Sequence, residues 1–348
     1  MTVAIRGSGE VKHVVVLLRP GSCTAINRGR GRAALLRLLL VVLAVQLSVG
    51  CSSSRFPSGE LVMFSTVGPR AFQGTVFVVR PDGSSITIVL KPQTLLEYNG
   101  AYGNSLKTFI LASASQSTGG NNSVTNIVQY FPGHGTITPL QQQLPVGQEA
   151  NGVPSPDNSQ FIAGVGPAGT QLHLWISDFK TKQFRQLTDG PAQDFNAAWS
   201  PDGQQIAFTR LLPPFPSITT QLLTVPSSSG PPTILFGTSE HVGEAAYSRD
   251  GKHLAFDSIN GLETIDLTTM QRTVILTLAQ LHGSPPERLT VGVGMSWART
   301  QDTIVLILKD LSTSRDQLWT VSSDGSNFKK IYTADSGAFI QSVCFVEN

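Results

Sequence analysis

The side chains that could do chemistry are few and widely separated. His134, His173, His241, His253 and His282 are scattered, with no His-x-His or His-Glu-x-x-His spacing. A metal would have to be assembled wholly from distant segments, and none is expected. No Gly-x-Ser-x-Gly elbow presents a nucleophilic serine. Cys344 lies in an alternating apolar run with no histidine near it in sequence. A reactive thiol needs a neighbouring base or a depressed pKa, so this one reads as a buried structural residue. Asp82, Asp202, Asp250 and Asp324 are each followed directly by glycine and lack the alternating acidic ligands of a calcium loop, which makes them turn residues. Trp175, Trp199, Trp297 and Trp319 could stack on a sugar or peptide, but they recur at fixed places in a repeat, which marks them as core. No cofactor is expected.

That repeat is the main signal in the chain. "AAWSPDGQQIAFTR" (Ala197 to Arg210) returns 48 residues later as "AAYSRDGKHLAFDS" (Ala245 to Ser258). Each copy reads as a β-hairpin, with Gly203 or Gly251 where a tight turn needs positive φ and Asp202 or Asp250 placed to bond the turn amides. Further copies are "NGVPSPDNSQFIAGVG" from Asn151, "GMSWARTQDTIVLILKD" from Gly294, where the turn has drifted to Arg299-Thr300-Gln301-Asp302, and a faint "NGAYGNSLKTFILAS" from Asn99. Taking Gly103, Ser155, Ser200, Ser248 and Ala298 as equivalent gives spacings of 52, 45, 48 and 50. Each unit also has room for two more strands, such as "TTQLLTVP" and "PTILFGT". A period of that size with four strands per unit predicts an all-β fold, a β-propeller with one blade per repeat.

The chain ends set the number of blades. "SVCFVEN" (Ser342 to Asn348) reads as an inner strand that stops where its turn should begin, and "GELVMFST" (Gly59 to Thr66) reads as the missing partner, followed by "GTVFVVRPDG" and "SSITIVL". Pairing them makes the last blade from the C-terminal strand and the N-terminal three, which leaves no open edge. The expectation is six four-stranded blades. The Ser-Pro-Asp-Gly repeat resembles that of the TolB propeller family over residues 59 to 348, most strongly between Ala197 and Ser258. TolB itself carries an α/β domain ahead of its propeller, and no segment here has the length or helical periodicity for one. The resemblance therefore implies the fold more than the role.

Residues 1–50 read as an export signal, 51–58 as a flexible tether and 59–348 as the propeller. Arg28, Arg30, Arg32 and Arg37 precede the thirteen-residue run "LLLVVLAVQLSVG", shorter than the roughly 20 apolar residues a spanning helix needs. The stretch Met1 to Asn27 adds nothing that an export signal requires. With Cys51 next, the signal resembles that of bacterial lipoproteins, although Ser48 stands where that family usually has leucine. The resemblance implies that Cys51 is lipidated, becomes the mature N-terminus and anchors the domain at a membrane, facing the periplasm or the cell exterior. Ser52, rather than aspartate, resembles the outer-membrane sorting pattern of two-membrane cells. A Cys51–Cys344 disulfide would consume the lipid site and is not expected.

The leader holds seven basic residues and one acidic residue, so the totals of 25 and 23 fall to 18 and 22, a net of −4. No basic face then remains to neutralise phosphates, and nucleic acid is not an expected partner. With no catalytic motif, the expectation is a non-enzymatic, envelope-tethered propeller that binds a protein, peptide or glycan through rim loops or its channel. The alternative is an enzyme, such as a glycan lyase or cyclotransferase, whose residues converge on the channel from several blades. Two long connections are the candidate contact loops: Leu211 to Thr220, with Phe215 on a Pro-stiffened tip, and Thr277 to Thr290, with His282, Glu287 and Arg288. Fatty-acid labelling in a bacterial host should mark the parent protein and miss Cys51→Ala; label retained by the alanine variant refutes lipidation there.

Overall fold

The computed structural model describes residues 2–7, 10–15, 56–68, 71–91, 98–114, 125–139, 148–166, 171–213, 219–237, 241–282 and 289–348. It divides into two units, Met1–Arg55 and Phe56–Asn348. In the first, β1 (Thr2–Gly7) and β2 (Glu10–Val15) form an antiparallel hairpin with Thr2 opposite Val15. Cys51 and the rest of the expected signal lie outside the described residues.

Among the described residues the second unit is all-β apart from the five-residue helix α1 (Leu278–His282). Its strands are β3 (Glu60–Gly68), β4 (Ala71–Val79) and β5 (Thr87–Leu90); β6 (Tyr98–Ser105), β7 (Thr108–Ala114), β8 (Thr125–Phe131) and β9 (Thr136–Pro139); β10 (Gln148–Pro154), β11 (Gln160–Gly166), β12 (His173–Asp178) and β13 (Phe184–Gln186). They continue with β14 (Gln193–Trp199), β15 (Gln205–Leu211), β16 (Thr220–Pro226) and β17 (Thr233–Phe236); β18 (Val242–Tyr247), β19 (His253–Ser258), β20 (Gly261–Asp266) and β21 (Arg272–Thr277); β22 (Leu289–Trp297), β23 (Ile304–Asp310), β24 (Arg315–Val321) and β25 (Lys329–Thr333); and finally β26 (Phe339–Glu347). β10 through β25 make four separate four-stranded antiparallel meanders.

The remaining strands form one eight-stranded sheet in the order β5-β4-β3-β26-β6-β7-β8-β9. This corrects the expectation of six separate sheets. β26 pairs antiparallel with β3, Ser342 opposite Ser65 and Glu347 opposite Glu60, so the two ends of the propeller unit share a sheet as the sequence indicated. The extra join is a single parallel pairing of Glu347 with Ser105, supported by Leu106 N–H donating to the Glu347 carbonyl at 2.9 Å. It arises because β6 and β26 approach closely enough for one backbone bridge. Ser342 Oγ reinforces the approach by accepting from Ala101 N–H at 2.9 Å and donating to the Ala101 carbonyl at 3.1 Å.

Six apolar clusters hold this propeller-like arrangement together, and each lies between consecutive four-stranded units. One cluster packs Val62 and Phe64 of β3 against Val305 and Ile307 of β23, thereby joining the first unit to the last. Ile206, Ala207 and Phe208 are three successive residues of one strand, all with 0% exposure, although neighbours in a strand point to opposite faces. Both faces of the sheet are therefore covered, and burial of each large side chain contributes about 2 kcal/mol.

The repeated turn is a closed hydrogen-bond circuit. Ser200 Oγ bonds Asp202 at 2.5 Å and accepts from Gln205 N–H at 2.9 Å, while Gln204 N–H donates to Asp202 at 3.0 Å. Ser248–Asp250 and Ser155–Asp157 repeat it. Gly203 and Gly251 take φ of 72° and 70°, and Asn158 fills that place in the earlier copy with φ of 57°. The drifted turn after Trp297 recruits its carboxylate from elsewhere: Glu60 accepts from the Arg299 N–H at 2.6 Å, the Thr300 N–H at 3.1 Å and the Thr300 hydroxyl at 2.5 Å.

Removing Ser342–Asn348 should abolish cooperative thermal unfolding of the whole propeller unit, because it deletes six of the eight pairs that join β26 to β3. Ser200→Ala, which leaves a part-buried amide and a carboxylate short of a partner, should cost only about 1–2 kcal/mol. A truncated protein that melts like the parent refutes the dependence on end pairing.

Candidate functional site

The innermost strand of each unit carries the same irregularity. The pairings of β6, β10, β14, β18, β22 and β26 with their partners all slip, at Asn99, Asn151–Gly152, Asn196–Ala197, Gly243–Glu244, between Val291 and Met295, and at Gln341. A β-bulge bends its strand and re-aims a side chain that the regular pleat would direct elsewhere. Asn196 adopts φ of 54°, tolerable for asparagine, and Gly294 takes 146°.

The six strands surround a central cavity of about 160 Å³. Asn196, Glu244, Gly294 and Gln341 line it from the bulges, and Trp199, Tyr247 and Trp297 line it where the strands run into their turns. Pro201, Ser248 and Arg249 also contribute, so the cavity extends to the end of the sheets that carries the Ser-x-Asp turns. Trp199 serves the core as well, with 9% exposure and its Nε1–H donating to the Val153 carbonyl of the preceding unit at 3.0 Å. The sequence reading of Trp199 and Trp297 as core is thus incomplete, since both also form the cavity wall. Trp319 is stacked on Phe328.

Two carboxyls define the electrostatics. Glu244 keeps some accessible surface at the cavity but is otherwise surrounded by protein, and its carboxylate accepts from the Met295 N–H. Burial, then the nearby Asp257 charge, pushes its pKa up to about 8. Asp257, on β19, packs its carboxylate against Gly243, where a Cβ would meet both its oxygens at 2.3 Å. Burial raises Asp257 to about 6, against the opposing pull of the Glu244 N–H and of His241. Its Oδ1 is buried without a hydrogen-bond partner among the described residues. Across the cavity, burial and the Glu244 charge raise Tyr102 well above its ordinary value.

Arg249 and Arg299 are the cations of the cavity wall, and Arg299 is already engaged. One Nη donates to Asn104 Oδ1 at 2.8 Å, and the charges of Glu347 and Glu60 support it against burial, which lowers its pKa. Asn104 in turn donates to the Ser155 carbonyl at 2.7 Å, tying two turns together. Burial pushes the Cys344 thiol up to about 12, so it is not a nucleophile at neutral pH.

Cys51, Phe215, Glu287 and Arg288 lie outside the described residues, and His282 ends α1 with its side chain likewise outside them. The described strand ends that flank the connections bearing Phe215 and His282, namely the end of β15, the start of β16 and the end of β21, lie at the end of the sheets opposite the Ser-x-Asp turns. Among the described residues, no three His, Cys, Asp or Glu side chains are grouped to hold a metal. No helix there is long and apolar enough to cross a membrane. Sequence reasoning missed Asn196, Glu244, Asp257, Arg299 and Gln341. One signal was present: extending the two best repeats leftward by one residue aligns Asn196 with Glu244, polar residues before an otherwise identical Ala-Ala-aromatic-Ser pattern.

No protein-family model matches the chain, and no curated protein sequence matches it. Solved structures do. The chain is similar to TolB from Acinetobacter baumannii, at 16% identity and a TM-score of 0.60, over 91% of this chain and 74% of that one. It is similar to a chain of a nidogen/laminin complex at 10% identity and a TM-score of 0.58, over 82% of this chain and 98% of that one. It is also similar to puromycin hydrolase at 16% identity and a TM-score of 0.53, over 79% of this chain and 46% of that one. The fold is thus TolB-like and of the β-propeller kind. Fold alone does not choose between binding and catalysis.

Because Glu244 holds its proton in the folded protein up to about pH 8 but from about 4.5 upward releases it when unfolded, folding stability from this group is complete below the unfolded value and is lost as pH rises between the two. Glu244→Gln should therefore be more stable than the parent at pH 9 by about 1–3 kcal/mol and nearly equal to it at pH 4, as read by denaturant melts at both. A difference independent of pH refutes the assignment.

Proposed function

We propose that the chain is an exported binding protein, tethered through Cys51, whose six four-stranded units close into a ring and whose ligand seats in the central cavity. The observation that carries this reading is the convergence of six bulged inner strands on one cavity. Bulges interrupt backbone pairing, and a set of them around one space is the mark of a binding surface built on rigid strands. The partner is an envelope protein, peptide or glycan. The connections bearing Phe215 and His282, Glu287 and Arg288 are the second contact zone of this reading.

A catalytic reading has its own support in Glu244, a carboxyl that keeps its proton near neutral pH beside a second carboxyl, as a general acid requires. Capture of envelope components on the immobilised parent, on Trp297→Ala, on Gln341→Ala and on variants with Leu211–Thr220 or Thr277–Thr290 shortened separates the zones. Cavity variants should lose about tenfold in retention, and trimmed loops should lose less. Retention indifferent to the cavity variants overturns the proposal. A captured component that the parent converts and Glu244→Gln only binds establishes the catalytic reading instead.

A further inference from the structure

Resting on the cavity reading above, we infer that the central cavity takes an uncharged sugar unit. Four lining groups have hydrogen-bonding capacity that no described residue uses: the Asn196 and Gln341 amides, Tyr247 Oη and Trp297 Nε1. Each amide both donates and accepts, as a sugar hydroxyl does, and a carboxyl that keeps its proton adds another donor–acceptor group at Glu244. Trp297 is only half-buried and offers an indole surface for the C–H face of a pyranose ring.

Charge and strand geometry favour such a unit over an anion, a cation or an added strand. The half-buried cation Arg299 is bonded to Asn104 and balanced by the charges of Glu60 and Glu347, so a ligand carboxylate or phosphate finds a free counter-charge only where the exposed Arg249 lines the turn end of the cavity. Glu244, uncharged below about pH 8, gives a ligand cation little to pair with. An extended peptide recognised by strand addition needs an unbroken ladder, and the inner strands are interrupted by bulges at the cavity.

The test is calorimetric titration, at pH 6.5, of the purified mature protein with glucose, galactose, mannose, N-acetylglucosamine, glucuronate and a library of unstructured peptides, with tryptophan emission followed in parallel. At least one uncharged sugar should bind saturably and quench emission, and glucuronate should bind at least tenfold more weakly. Asn196→Gly, which keeps the backbone conformation available, and Gln341→Ala should each weaken binding about tenfold with melting temperature nearly unchanged. Raising the pH to 9 should weaken binding to the parent and not to Glu244→Gln. A preference for glucuronate, or peptide binding lost in the same variants without sugar binding, overturns the sugar assignment and leaves the cavity reading intact. Sugar binding untouched by both variants, or no binding of any probe, overturns the inference together with the cavity reading beneath it.

Discussion

A four-stranded sheet of this kind has no core of its own. The second strand of a unit, such as β15, β19 or β23, is buried on both faces, so every unit depends on the unit before it and the unit after it for burial. The critical instance is the cluster shared by β3 and β4 with β23 and β24, where Phe64 and Val62 meet Ile307, Val305 and Leu318. Nothing local in the sequence brings those residues together; only the β3–β26 pairing does. Glu60 completing the turn of the last unit, and Asn348 Nδ2 donating to the Phe56 and Pro57 carbonyls at 3.0 and 2.9 Å, secure the same junction with polar contacts.

The interior of the cavity runs against that economy. Regular pairing would have satisfied the inner strands and kept polar side chains away from protein surroundings, yet each strand slips, and one slip places a carboxyl where burial opposes its charge. Asp257 adds an oxygen with no partner among the described residues. Departures from local rules of this kind concentrate where a fold has been adapted to something other than stability.

Much of the architecture was legible from turn chemistry. Ser-Pro-Asp-Gly fixes a hairpin by an amide–hydroxyl–carboxylate circuit, and recognising it at Ser200 and Ser248 located strands that the structure places at Gln193–Trp199 and Val242–Tyr247. The split unit could be read because "SVCFVEN" lacks a turn. The eight-stranded merger could not, since one backbone bridge between Glu347 and Ser105 leaves no trace in side-chain pattern. The site was mostly hidden for a related reason. Bulges come from backbone register, and Asn196, Glu244 and Gln341 differ in type, so only the Asn196–Glu244 correspondence marks their common position. Arg299 was visible as a drifted turn, but its partner Glu60 lies 239 residues away in sequence.

The pairing of β3 with β26 also constrains the order of events during biosynthesis. β3 is the first strand of the propeller unit to be made, and one of its two hydrogen-bonding neighbours is the last. Until Phe339–Glu347 has been delivered, β3 keeps one bare edge and the apolar faces of the first and last units have no cover. Such long-range closure is slow, and the waiting chain carries an exposed strand edge open to chaperones and to misassembly. The first strand of the propeller unit is thus completed only after every other strand of that unit has been made, whatever the intervening units have formed by then.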